Sequence, residues 1–167
     1  MSACDVCSGT DAAGLPDETE ALLWAPWRML ETDHGSFLEE LHKLDDLSKQ
    51  FRARPPSRAQ ARKRIVKIYD HFEDRMSRHF RAEEKAVFPY LRHHAPRLKP
   101  ALEDLTFEHH QIRKTMTSWK QTVKRSRVSS SAADDMDSLF GPGQELSRLL
   151  RAHVLKERRI MGKFSPR

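Results

Sequence analysis

Cysteine is scarce: only Cys4 and Cys7 occur, both near the start, and the rest of the chain has none. That excludes a disulfide scaffold. Glycine is scarce too, at 6 of 167 residues, and aromatic residues make up 8%. So little glycine, beside abundant Leu, Arg, Lys, Ala and Glu, argues for helices over a sandwich or barrel. Period-two alternation, the mark of a half-buried strand, is missing throughout. No apolar run approaches the roughly 20 residues needed to cross a bilayer. The acidic, polar N-terminus lacks the apolar core of a secretory signal. A soluble cytoplasmic protein with no membrane partner is the expectation.

A formal charge of +6 and a pI near 9.5 raise nucleic acid as a partner. The cations are interleaved with acids, however, and runs such as Arg62-Lys63-Arg64 and Lys124-Arg125 are short. Such runs read as solvated helix faces, not as a nucleic-acid surface.

At 167 residues the chain is long enough for one domain with a real core. Residues 1–20 read as a loose tail, and 21–167 as a helical domain. Ala21 to Trp27 is apolar, and Pro26 suits a first helical turn. Apolar residues then recur at helical spacing from Trp27 to Ala53, and Pro55-Pro56 ends that helix. Ser57 and Gln60 make a capping-box pattern for a second helix to His94, which Pro89 should kink near its end. A third spans about Arg97 to Arg127, followed by a loop at Ser129-Ser130-Ser131. Gly141-Pro142-Gly143 reads as a break before the main body of a fourth, which carries Leu146, Leu150, His153, Glu157, Met161 and Phe164. Four amphipathic helices on short loops predict an all-α, up-down-up-down four-helix bundle.

The nine histidines separate by their helical neighbours. His34, His79, His109 and His153 each lie on an apolar, inward stripe, one per predicted helix. His42, His71, His93, His94 and His110 sit among charged or polar residues and read as surface groups. His79 and His153 are followed at plus four by Glu83 and Glu157, one turn away on the same face. Such pairs arise easily by chance, as His42–Asp46 shows. The conjunction is the informative part: two pairs on inward stripes, and one inward His on each remaining helix. Buried carboxylates are costly unless paired or metal-bound, and no Arg or Lys shares the stripes. Two multivalent cations would balance the charge.

This ordered set resembles the hemerythrin-like HHE cation-binding domain. Asp33-His34, the run from His79 through Glu83-Glu84 to Phe88-Pro89, and Glu108-His109 with Arg113 carry the likeness, which spans roughly residues 26–164. The resemblance implies a non-haem di-iron site with an oxo or hydroxo bridge. His34, His79, His109 and His153 would be terminal ligands and Glu83 and Glu157 bridges, with Glu84 pointing about 100° away from Glu83. Manganese or zinc are possible substitutes for iron. Oxygen-carrying relatives have a second His one turn after the third-helix ligand, where this chain has Arg113, and a longer His-to-Asp spacing on the fourth helix. The chain is thus similar to the four-His, two-Glu subgroup.

Two six-coordinate irons need about 12 positions, of which this set and one bridging oxygen fill about 10. The open positions favour turnover or sensing over reversible oxygen carriage, unless Glu31 or Tyr69 fills them. The resemblance implies a redox protein acting on O2, peroxide or nitric oxide, in stress response or iron homeostasis. The alternatives are an iron- or oxygen-sensing module that a protein partner reads, or simple O2 storage. Glu-x-x-His ferritin-like sites do not fit the His-then-Glu order. Cys4-x-x-Cys7 is a lone CxxC compatible with metal, redox or no function. Trp24 and Trp27 read as an apolar clasp over one end of the bundle, and Met76, Met116 and Met161 as core filler near the site.

Overall fold

The computed structural model describes residues 17–54, 56–128 and 136–161, with side chains from Arg28 onward. Cys4, Cys7, the Ser129-Ser130-Ser131 loop, Phe164 and the side chains of Trp24 and Trp27 lie outside the described residues. Every element is helical: α1 (Asp17–Ala53), α2 (Arg58–Ala82), a π-helical segment (Glu83–Val87), α3 (Phe88–His94), a 3-10 turn (Pro96–Leu98), α4 (Lys99–Val128) and α5 (Met136–Met161). The segment from α2 through α3 is one continuous rod, so there are four rods in all. α1 packs on α2 and α5, and α4 also packs on α2 and α5, which closes a four-membered bundle.

Two boundaries differ from the sequence reading. α1 starts at Asp17, ten residues before Trp27, because Glu18, Glu20, Ala21, Leu22 and Leu23 are good helix formers with acids at the N-terminal end. Pro26 therefore lies inside α1, not in its first turn. α5 runs unbroken through Gly141-Pro142-Gly143. Tertiary packing overrides the local breakers there: a Cβ on Gly143 would sit 2.7 Å from Leu44 Cδ2 and 2.9 Å from Trp119 Cζ2. The Trp119 indole N–H donates to the Leu139 carbonyl at 3.1 Å, so the indole both fills the contact and satisfies backbone near the proline. The predicted cap is present, with Ser57 Oγ accepting from the Gln60 N–H at 3.3 Å.

The disturbance expected at Pro89 is the π segment just before it. The Phe88 N–H donates to Glu83 O, five residues back. Proline's ring clashes with the carbonyl four residues earlier in a regular α-helix. A wider turn immediately ahead of Pro89 absorbs that clash, and π turns of this kind recur at functional sites.

The core is stacked in layers along the bundle. One apolar cluster includes Phe37, Leu41, Phe72, Phe80, Met116, Trp119, Leu150 and Val154; a second includes Leu30, Val87, Phe88, Leu91, Leu102, Leu105 and Met161. Each rod passes from one cluster to the other through its own ligand-type residues: His34 on α1, His79 and Glu83 on the second rod, His109 on α4, and His153 and Glu157 on α5. Met76, Met116 and Met161 fill the flanking layers as expected. Burying each large apolar side chain contributes roughly 1.5–3 kcal/mol, and these two layers hold a polar waist that would be unfavourable alone.

Candidate metal centre

All six residues singled out by the inward pattern meet in that waist. His34, His79, Glu83, His109, His153 and Glu157 are each 3% exposed or less. They form two overlapping groups, His34/His79/Glu83/Glu157 and Glu83/His109/His153, with all donor atoms in a group within 4.8 Å of one another. Nε2 of His34 lies 3.0 Å from Nε2 of His79, and Nε2 of His109 lies 3.2 Å from Nε2 of His153. Glu83 spans the groups: Oε1 is 3.4 Å from His79 Nε2 and Oε2 is 3.0 Å from His109 Nε2. Glu157 Oε2 stands 3.0 Å from His34 Nε2 and 3.5 Å from His153 Nε2.

The donor set fits metal ions on its own terms. Both oxygens of Glu83 and Oε2 of Glu157 are buried without a hydrogen-bond partner, and no Lys or Arg is among the buried residues described. Imidazole pairs with opposed Nε2 atoms at such distances repel if both are protonated. Burial drives the His79 pKa down to about 3, aided by His34, and that of His109 down to about 4, aided by His153. Both rings are therefore neutral at pH 7, the form that ligates. Burial and the Glu157 charge push Glu83 well above the ordinary carboxylate range. Burial opposes ionisation of Glu157 too, but the His34 imidazole 3.0 Å away outweighs it and lowers its pKa. The two carboxyls are thus pushed in opposite directions, Glu83 up and Glu157 down.

The sequence reading left unnamed what orients the histidines. Three carboxylates face their outer nitrogens, Asp33 buried and Glu84 and Glu108 half-buried. His79 Nδ1 faces Asp33 Oδ2 at 3.5 Å, His109 Nδ1 faces Glu84 Oε1 at 2.8 Å, and His153 Nδ1 faces Glu108 Oε2 at 2.9 Å. Each acid adjoins a ligand-type residue in the chain yet serves the next rod around the ring. Asp33 follows this rule from α1 to α2, Glu84 from the π segment to α4, and Glu108 from α4 to α5. Each also has a cation behind it. Arg113 grips Glu84 with two bonds of 2.9 and 3.0 Å, Lys156 donates to Glu108 at 2.9 Å, and Arg75 Nε approaches Asp33 only to 4.0 Å. Burial raises Glu84, but Arg113 and His109 together hold it below the ordinary range. The His153 bond does the same for Glu108, against burial and with help from Lys156, whereas burial prevails at Asp33 and raises it.

Aromatic rings close the centre against water. His109 is stacked between Phe80 and Phe88, with centroids at 3.9 and 5.6 Å. Phe37 meets His79 edge-on at 5.3 Å. The Arg113 guanidinium lies over the outer face of Phe80 at 5.1 Å. A surface groove lined by Met76, Phe80, Arg113 and Met116 abuts the centre through Phe80.

Neither side chain considered for an open coordination position belongs to either donor group. Glu31 is exposed. Tyr69 stands edge-on to Trp119 at 5.4 Å, about 15 Å up the helix from His79 by its ten-residue offset. Of the five histidines read as surface groups, His42, His93, His94 and His110 are exposed. His71 is half-buried instead, with Nε2 2.9 Å from Ser36 Oγ and 3.1 Å from Arg75 Nη1. A polar cluster between α1 and α2 encloses it, which helical spacing alone does not reveal.

Among the described residues, no helix is long and apolar enough to cross a membrane. The family model of the hemerythrin HHE cation-binding domain matches residues 25–164, most of the chain. No curated protein and no solved structure gave a significant match.

Proposed function

The chain belongs to the hemerythrin HHE cation-binding family, and from that premise we propose that its waist holds two iron ions and binds or reacts with O2, hydrogen peroxide or nitric oxide. The observation that carries this reading is the sharing of Glu83 between two donor groups, one oxygen turned to each. In this reading His34 and His79 would hold one ion, His109 and His153 the other, and Glu83 and Glu157 would serve both. Two irons would supply one-electron redox steps and coordination positions left open by the protein. The chain's own contribution is to hold four imidazoles in place, neutralise charge with two carboxylates and exclude water with Phe37, Phe80 and Phe88. A carboxylate ligates in its ionised form, so the burial that favours the protonated form of Glu83 would couple metal uptake to proton release.

Catalysis and sensing share this centre. Sensing is favoured by the position of the waist between two apolar layers, where metal loading stabilises the fold directly. The test begins with anaerobic, iron-replete purification, a metal count per chain, and visible spectra before and after air or peroxide. About two irons per chain, with near-ultraviolet and visible bands lost in His153→Ala, supports the reading. Consumption of peroxide or nitric oxide favours catalysis; a stable oxygenated spectrum favours O2 binding; metal-dependent folding without turnover favours sensing. Preferential loading with manganese or zinc from a mixed-metal medium would overturn iron.

A further inference from the structure

The supports of the two histidine pairs are unequal. His109 and His153 each have a carboxylate on Nδ1 at 2.8 or 2.9 Å, and each carboxylate is gripped by its own cation at 2.9–3.0 Å. His109 is also sandwiched between Phe80 and Phe88. On the other side, the contact of His79 with Asp33 is 3.5 Å, and Arg75 stands 4.0 Å from that carboxylate. Arg75 is shared: its Nη1 donates to Ser36 Oγ at 2.7 Å and lies 3.1 Å from His71. His34 has no Nδ1 partner among the described residues. The relay of carboxylates that runs from α1 through α2 and α4 to α5 does not close back onto α1.

The backbone beside His34 adds to the contrast. Gly35 lies deep inside α1, where glycine costs a helix roughly 0.5–1 kcal/mol relative to alanine. Nothing lies within 4 Å of a Cβ built there, so no close packing demands the glycine. Its effect is to loosen α1 next to a ligand that lacks a buttress.

Building on the two-metal reading, we infer that the two metal positions differ in affinity and exchange: the His109/His153 position holds its ion firmly, and the His34/His79 position releases and reloads it. Donor number alone would favour the opposite order, since the His34/His79 group has four members and the other three. Water can complete a coordination sphere, however. An imidazole free to turn must be ordered at every binding event, and loss of an outer carboxylate typically weakens metal binding about 10- to 100-fold. Two complete buttresses on one side, against one long contact on the other, decide the order. The protein would therefore pass through a one-metal state on loading and unloading.

The experiment uses the full chain loaded anaerobically with ferrous iron, then challenged with a chromophoric chelator while release is followed in time. Wild type should lose its two ions in two phases of equal amplitude, separated at least about 10-fold in rate. Glu84→Gln and Glu108→Gln keep the shape of the side chain and should accelerate the slow phase alone. Gly35→Ala should slow the fast phase alone. His34→Ala should retain one slowly released ion, whereas His153→Ala should keep none through the slow phase. Far-ultraviolet circular dichroism checks each variant's fold, and the Gln and Gly35 variants decide the matter if an Ala variant unfolds. A single release phase for two ions, or acceleration of the fast phase by Glu84→Gln, overturns the inference and leaves two-metal binding intact. A wild-type chain that takes up no iron overturns both.

Discussion

Glu83 and Glu84, adjacent in the chain, face the two ring nitrogens of one imidazole: Glu83 Oε2 is 3.0 Å from His109 Nε2, and Glu84 Oε1 is 2.8 Å from His109 Nδ1. One carboxylate is a candidate ligand and the other a positioning group, and only the outer one has a guanidinium behind it. Arg113 holds both oxygens of Glu84, a fork geometry that lysine cannot reproduce. Arg113→Lys should weaken iron binding at the His109 position by about 10-fold, the low end for loss of an outer support. Chelator competition measures this, and unchanged affinity would show that Glu84 needs no clamp.

Removing the buried Glu83 carboxyl from the waist should trade binding for stability. Both Glu83 oxygens are buried without a partner. Replacing buried ionisable groups by apolar residues of similar volume is often neutral or stabilising, by about 1–4 kcal/mol. Glu83→Met should raise the urea midpoint of the metal-free protein and abolish stoichiometric iron binding. A lower midpoint would mean that the protonated Glu83 makes a net stabilising contact.

Acid sensitivity should divide by residue. The folded-state pKa values of His79 and His109 are depressed from 6.5 to about 3 and about 4. In the window between, the unfolded chain binds protons that the folded chain does not, so stability falls as pH falls. Glu83 has the opposite sign: its raised pKa means that the folded chain keeps a proton lost by the unfolded chain above about 4.5. For metal-free protein, His79→Gln should therefore flatten the loss of stability from pH 6.5 to 4, and Glu83→Gln should steepen it. Denaturant midpoints across that range provide the check, with equal slopes in both variants as the contrary result.

Gly143→Ala tests the helix crossing. Alanine gains about 1 kcal/mol of helix propensity. Its methyl would lie 2.7 Å from Leu44 Cδ2 and 2.9 Å from the Trp119 ring, and overpacking costs about 1–3 kcal/mol. The indole is anchored to the Leu139 carbonyl and cannot swing aside freely. The net should be destabilising by about 1 kcal/mol in urea unfolding, and a stabilised variant would show that Trp119 yields.

The inward positions were legible because a helix repeats its buried face every three to four residues. His34, His79, His109 and His153 stood out as polar residues on apolar stripes, and all four are buried with Glu83 and Glu157. Asp33, Glu84 and Glu108 were not legible by that signal. They lie one residue off the stripe on the flank, Asp33 buried and Glu84 and Glu108 half-buried, where periodicity cannot separate them from solvated acids. An adjacency rule would have found them, since each directly precedes or follows a ligand-type residue. The helix through Gly141-Pro142-Gly143 was hidden for another reason. Its glycine is required by Leu44 and Trp119, residues remote in sequence, and local breaker signals carry no knowledge of them.

The π turn at Glu83–Val87 sets a condition on length as distinct from composition. It stores one surplus residue between the ligand-bearing end of α2 and the apolar face of α3. Deleting one residue from this stretch would let it relax to an ordinary helix with the residues beyond still facing as they do, whereas adding one would rotate everything beyond it by about 100°. Val87, Phe88 and Leu91 would then turn away from Leu102 and Leu105, and Phe88 would leave the ring of His109. The segment should thus accept many exchanges of side chain at Lys85 and Ala86, both exposed, and no added residue. For this chain, a residue inserted there would be a more telling sign of lost chemistry than almost any point change outside the six inward residues.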